Sequence, residues 1–392
     1  MKIKILFFLI LFPLILSAQY SQLKKYELNG YITNMQMVMF EKIDGMWTTD
    51  NLFHNRLNFK WYPVEWLTAS VQMRNRLMYG DKVRGDNLEI GYVSGLENDN
   101  GLLDMTWNLF HKKSFVLNST IDRAWIAFEK NQWNIKLGRQ RINWGQTFVW
   151  NPNDLFNVYS FFDFDYAEKP GSDAIRIQRY TGTTSSVEAV IKTNRDKKVT
   201  TAGLFRFNKW NYDIQFLAGL LQEQDYVIGT GWSGDLKGAS FRGEMSYFQP
   251  KENFSDTTGQ FIISTGLDYT FGNSLMLQAE FLYCQIPKGT NINNFEEFYA
   301  RPLTVKNLSF TQYNTFIGAT YPLTPLLNTS FNAMWFPKID GFAIIPNLSY
   351  SLKDNLDLSF FMQFFSGKFP NQNGIVKKQK FSLCFLRLKG NF

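Results

Sequence analysis

From Phe53 to Trp61 apolar and polar residues alternate. Phe53, Leu57, Phe59 and Trp61 take the odd positions, with Asn55 the one break, and His54, Arg56, Asn58 and Lys60 take the even ones. A period of two marks a strand whose two faces meet different surroundings. After a turn signalled by Pro63 the pattern returns, with Leu67, Ala69, Val71, Met73 and Leu77 set against Thr68, Ser70, Gln72, Arg74 and Arg76. Followed along the chain, it predicts eighteen strands, with sixteen as the alternative count: 28–40, 52–61, 65–78, 121–129, 132–140, 173–180, 185–193, 199–208, 211–222, 226–236, 239–249, 260–271, 274–285, 308–321, 326–336, 341–352, 355–366 and 380–392. Many exceed the ~5–6 residues of an average strand in a soluble sheet. They approach the ~9–11 residues that cross a bilayer at a tilt.

The connections carry their own pattern. Those at 62–64, 130–131, 272–273 and 353–354 are short, and those at 250–259, 286–307 and 367–379 are long. Short and long connections fall on opposite sides only if the apolar stretch 102–110 belongs to the loop between residues 79 and 120. Its own conformation is left open, a short helix against the inner wall being one reading. Strands that span a membrane must close into a ring, since an open edge leaves backbone N–H and C=O groups unpaired in hydrocarbon. The expected fold is therefore all-β, a transmembrane antiparallel β-barrel wide enough for an aqueous lumen.

One stretch follows neither period. Between the strands at 132–140 and 173–180 runs GRQRINWGQTFVWNPNDLFNVYSFFDFDYAEKPG, residues 138–171, dense in Trp, Phe, Tyr and Asn. Loops this long in compact domains are functional or disordered, and this one is too aromatic for disorder. An outward position would expose a large apolar patch. The expectation is a loop folded into the lumen, with Trp150, Phe156, Phe161 and Phe162 packed on the wall.

Composition supports export. The N-terminal MKIKILFFLILFPLILSAQ has a basic start at Lys2 and Lys4, an apolar core from Ile5 to Leu16, and a small-residue site after Ala18. That is the plan of a secretory leader over residues 1–18, followed by one barrel domain over 19–392. Aromatics make up 17% of the chain, with 38 Phe, yet mean hydropathy is −0.24. Alternation produces that combination. Removing Lys2 and Lys4 from the 41 basic residues leaves an excess of five over the 34 acidic ones, and no basic run suits nucleic acid. Cys284 and Cys384 lie a hundred residues apart in separate strands, which argues against a disulfide.

Candidate chemistry is sparse. The only histidines are His54 and His111, and no His/Cys/Asp/Glu set has metal-ligand spacing. Neither an enzyme nor a cofactor is expected. Gly229-Thr230-Gly231 lies inside a strand and is a weak lookalike of a phosphate loop. Asp163 and Asp165 fit a charged loop better than an acid–base pair. The polar face of the strands carries Arg56, Lys60, Arg74, Arg76, Lys192, Arg206 and Arg242, with the acids Glu188, Glu244, Asp268, Glu280 and Asp357. The lumen wall is assigned to Arg56, Arg74, Arg76, Arg206 and Arg242. The constriction is assigned to Arg139 and Arg141 at the loop's root, facing Asp154, Asp163, Asp165 and Glu168 across a narrow opening. Such opposed charges set ion preference.

GRQRINWG, then WNPNDLFN and EKPGSDAIRIQRY, resemble the shared core of large Gram-negative porin-like barrels related to the alginate-export group, over roughly residues 133–181. The resemblance implies passive passage of small or extended solutes across the bacterial outer membrane. The final strand, KFSLCFLRLKGNF, ends on Phe392, and a terminal aromatic there resembles the signal read by outer-membrane assembly machinery. Expected partners are small hydrophilic solutes or ions, outer-membrane lipid, that machinery, and other copies of the chain as a homo-oligomer. A porin is the leading reading. A structural or adhesive barrel with a closed lumen, and a barrel exporting an extended polysaccharide, are the alternatives. An energy-coupled transporter needs a plug domain for which the predicted first strand, near Leu28, leaves no room.

Overall fold

A computed structural model describes residues 25–85, 92–158, 171–252, 254–286, 303–309, 311–370 and 375–392. The expected leader, and Phe161, Phe162, Asp163, Asp165 and Glu168, lie outside them. The chain forms β1 (Tyr26–Phe40), β2 (Trp47–Val64), β3 (Leu67–Gly80), β4 (Thr106–Lys112), β5 (Phe115–Lys130), β6 (Trp133–Gln140), β7 (Ser172–Tyr180), β8 (Ser186–Thr193), β9 (Val199–Lys209) and β10 (Tyr212–Leu221). There follow β11 (Asp225–Leu236), β12 (Ala239–Pro250), β13 (Gln260–Thr270), β14 (Met276–Cys284), β15 (Tyr313–Pro322), β16 (Leu327–Phe336), β17 (Gly341–Lys353), β18 (Leu356–Pro370) and β19 (Val376–Asn391).

Eighteen of these strands make one closed antiparallel ring. Each pairs with its neighbour in sequence, β3 pairs directly with β5, and β19 returns to β1. The extra strand, β4, lies outside the ring order. β5 is long: its Ala124–Lys130 half pairs with β6. Its Phe115–Thr120 half rises past the end of β6 and pairs on that same edge with β4. The stretch 102–110 is thus loop and short strand rather than helix, and β4 covers an edge that β6 is too short to reach. Exposed strand edges need such cover.

Turn chemistry fits the geometry. Trp210 and Asn211 (φ 58° and 62°), like Lys237 and Gly238 (φ 54° and 88°), hold the two-residue turns of β9–β10 and β11–β12. Two central residues with positive φ match the twist of paired strands. Long connections gather at the opposite end of the barrel.

The alternation sets two surfaces. Phe59, Val71, Leu277, Phe281 and Phe360 are 41–45% exposed on the outer face. Arg56, Arg74 and Glu280 on the inner face are 1%, 6% and 4% exposed. No described helix is long and apolar enough to cross a membrane. Cys284 and Cys384 are free thiols.

Candidate functional site: a loop seated on the inner wall

The site begins where β6 ends, at Gly138-Arg139-Gln140. Gly138 has φ +110°, and a Cβ there would lie 2.3 Å from the Ala124 carbonyl oxygen, so the position requires glycine. Arg139 Nε donates to Asp173 Oδ1 (2.7 Å) and Nη1 to Asp99 Oδ2 (2.6 Å), tying the 99–105 segment to β6 and β7. Gln140 Nε2 donates to the carbonyls of Lys136 (2.9 Å) and Ala174 (3.1 Å). The strand end is held firmly before the loop departs.

Residues 141–158 then run along the inner faces of β8 and β10–β14. Backbone groups in a loop need partners, and here wall side chains supply them. Glu244, on β12 and fully buried, accepts from the N–H groups of Gln146, Thr147 (2.7 Å) and Asn153 (2.9 Å) and from the Thr147 hydroxyl (3.0 Å). Glu280, on β14, accepts from the N–H groups of Phe148 (2.9 Å), Val149 (2.9 Å) and Trp150 (2.8 Å), and from Ser264 Oγ (2.9 Å). Five successive amides, 146 to 150, are thereby aimed at two carboxylates. Hydrogen bonds to ionised acceptors are about twice as strong as neutral ones.

The remaining contacts complete the seat. Trp144 Nε1 donates to Glu188 Oε1 (2.8 Å), and Gln215 Nε2 donates to the Trp144 carbonyl (2.6 Å). The Trp144 ring meets Phe156 edge-on at 4.9 Å, with both side chains buried. Asn153 Nδ2 donates to the Thr230 carbonyl (2.9 Å), and Ser246 Oγ donates to Asn153 Oδ1 (2.8 Å). Gly229-Thr230-Gly231 is explained here. A Cβ on Gly229 would sit 2.7 Å from Asn153 Oδ1, and one on Gly231 3.0 Å from Gln146 Oε1. The two glycines leave a groove for the loop rather than for a phosphate.

At the loop's far end, Lys192 Nζ and Ser172 Oγ donate to the Phe156 carbonyl (2.7 and 2.8 Å). Asn157 joins the ends, accepting from the Ile142 N–H (3.0 Å) and donating to Ser172 Oγ (2.9 Å). Arg141 Nη2 donates to Asp154 Oδ2 (2.8 Å), and its Nη1 donates to the Asn157 carbonyl (2.7 Å). Asp154 is 2% exposed. Arg139, Arg141 and Asp154 therefore sit in the loop's root and body, each against an opposite charge. Phe148 points away from its own bonded backbone, 49% exposed, with its ring 5.8 Å from Phe316.

The wall arginines are engaged as well. Arg56 and Arg74 both reach Asp122 on β5, the second at 3.3 Å. Arg76 donates to Asn118 Oδ1 (3.0 Å), Arg206 to Gln215 Oε1 (3.0 Å), and Arg242 to Asp268. His54 is buried against Tyr31. Among the described residues no group of His, Cys, Asp and Glu is placed to hold a metal ion. The anchoring role of Glu188, Glu244 and Glu280 is not visible in sequence, where they read as lumen acids. The available signal is the small residues on the same face, Gly229, Gly231 and Ser246, which make room for the loop.

Beside the seated loop lies a cavity of about 1060 Å³. Arg74, Arg76, Asp122, Asp173, Lys192 and Lys306 are among its lining residues. Lys306 reaches Asp225 at 2.8 Å. The walls thus carry both signs of charge around a space that exceeds a typical small-ligand pocket.

No protein-family model matches this chain, and no curated protein matches it. Solved structures do. It is similar to Pseudomonas aeruginosa OccK9 (OpdG), with 10% identity, a TM-score of 0.57, and 94% of this chain and 98% of that one covered. Acinetobacter baumannii OccAB3 gives 10% identity, TM-score 0.57 and coverage of 94% and 99%. Pseudomonas aeruginosa OccK11 (OpdR) gives 9%, 0.54, 94% and 96%. At such identities the likeness is one of fold: a closed antiparallel β-barrel shared along almost the full length of this chain.

Proposed function

We propose that the protein is a bacterial outer-membrane porin, a water-filled channel for passive passage of small hydrophilic solutes, and not an enzyme. The observation that carries this reading is the seat itself. A loop anchored to the inner wall through seven hydrogen bonds onto two glutamates narrows a closed ring without filling it. A charge-lined cavity remains beside it. In this reading 141–158 is the constriction, the arginines of β2, β3, β9 and β12 line the approach, and Asp163, Asp165 and Glu168 add negative charge to the loop. Long loops face outward and short turns the periplasm, as in other outer-membrane barrels. Phe392 serves as the assembly signal.

The narrower kinship with alginate-export-type barrels rests on the motif at 133–181, and it favours an extended solute as the second reading. Planar-bilayer recording tests the proposal. The purified barrel is expected to give discrete conductance steps, and replacing Asp163 and Asp165 by Asn is expected to shift selectivity toward anions, less so at high salt. A barrel that inserts and never conducts leaves the closed structural reading standing.

A further inference from the structure

β18 and β19 pair from Leu356 opposite Gly390 up to Pro370 opposite Val376. Their outer neighbours stop sooner. β17 reaches only Ser366, through Phe342, and β1 reaches only Ser382, through Phe40. The last turns of the hairpin therefore stand above the ring at the long-loop end. On both strands the even positions face outward, as Phe360, Leu386 and Leu388 show by being 40–48% exposed. Upward along that face the apolar band ends at the ring pair Phe342–Phe364, 5.8 Å apart. Immediately above come Lys368, Lys378 and Lys380, all exposed, with Lys378 directly opposite Lys368 and Lys380 opposite Ser366. Lys338, also exposed, follows on the short turn Pro337–Ile339.

Like charges directly opposite on one face of a ribbon destabilise it. The structure sets one carboxylate among these lysines, Asp340, 2.9 Å from Lys368. Its hydrogen bond with Lys368, and the charges of Lys368 and Lys378, hold it below the usual carboxylate range. One acid does not balance four cations. Their height, at the edge of the apolar band, is the height of lipid head groups.

We propose that this face docks a phosphorylated glycolipid of the outer leaflet, Lys368, Lys378 and Lys380 gripping its phosphates while the apolar band below takes its acyl chains. Cations clustered at a membrane surface recognise anionic head groups in this way, and phosphate accepts several charge-assisted bonds at once. The proposal rests on the outer-membrane reading, which sets the leaflet.

The test titrates full-length barrel in detergent with bisphosphorylated lipid A and with its dephosphorylated form. At about fivefold per lysine, Lys378→Gln with Lys380→Gln is expected to weaken binding of the phosphorylated lipid roughly twenty-five-fold and to leave the dephosphorylated lipid unchanged. Lys377→Gln, one residue away on the opposite face, is expected to change neither. Equal loss in Lys377→Gln, equal affinity of the parent for both lipids, or undiminished binding by the double variant each overturns it. Conductance steps recorded on the same preparations separate this outcome from the channel reading, since Lys378→Gln and Lys380→Gln lie on the outer face and leave the lumen untouched.

Discussion

The inner wall has two regions built on one backbone plan. Over β8–β14 the inward positions include, between buried apolar residues such as Val190, Leu217 and Phe248, a set that meets the loop as acceptors, donors or empty space: Glu188, Gln215, Gly229, Gly231, Glu244, Ser246 and Glu280. Over β15–β19 they are mostly apolar, Phe316, Met334, Phe336, Ile345, Phe361, Phe365, Phe381 and Phe385, all buried, with Asn314, Ser359 and Gln363 among them. There Phe361 stacks on Phe385 at 4.7 Å and Phe365 lies 5.7 Å from Phe381. The first region is directional: each bond fixes which loop atom sits where. The second is cohesive: burial of rings rewards contact without choosing one register. The loop's position should thus depend on the polar region and the barrel's resistance to unfolding on the aromatic one.

Breaking the polar region should have the largest effect. In Glu244→Gln with Glu280→Gln, each amide turns an NH₂ toward backbone N–H groups that had faced a carboxylate. Bonds to charged groups are worth ~1.5–3 kcal/mol each and do not add fully, so the loop loses on the order of 5 kcal/mol of anchoring. Single channels should become larger and noisier, and limited proteolysis should cut within 141–158. Parent-like noise together with an intact loop would refute the directional role.

A core truncation tests the other region. Phe361→Ala should cost ~3–5 kcal/mol in barrel stability, measured by urea unfolding in detergent, with conductance near the parent's. Conductance altered as much as in the glutamate variant would erase the distinction between the regions.

The smallest expected effect checks the register that defines inner and outer. Val71→Arg puts a charge on the lipid face at ~2–4 kcal/mol and should impair refolding into bilayers. Gln278→Arg, inward and opposite Asp268, should refold normally. Equal yields would refute this assignment of the two faces, and reversed yields would exchange them.

The same contrast explains how far the sequence could be read. On β2 and β3 one face is polar and the other apolar, so period two is plain. On β18 apolar residues fill both faces, Phe360 outward and Phe361 inward, and alternation fades although the strand is there. The eighteen strands came from following the pattern along the chain, and the order of short and long connections, which does not depend on periodicity, kept 102–110 from being counted as one more. The upper half of β5 went unread because its partner β4 belongs to the loop, and Lys112-Lys113-Ser114 resembles solvated linker. At the site, the inward placement of Glu244 and Glu280 follows from parity, but what they accept does not. Their donors in the loop lie 91 to 132 residues away in the chain, and nothing local to a strand specifies so distant a partner.

The join between β1 and β19 has a kinetic consequence. Tyr31 pairs with Asn391, and Gly30 and Phe392 exchange backbone hydrogen bonds of 3.0 Å in both directions. Contacts about 360 residues apart thus complete the ring, while every other ring pair joins strands that are close in sequence. Until β19 arrives, β1 and β18 each present a long unpaired edge, and the nascent sheet is an open template for pairing with any other strand. Closing so long a span is entropically slow compared with forming hairpins. The chain therefore has a lifetime as an incomplete cylinder, set by its final sixteen-residue strand. During that interval it depends on outside protection against aggregation more than at any time after closure.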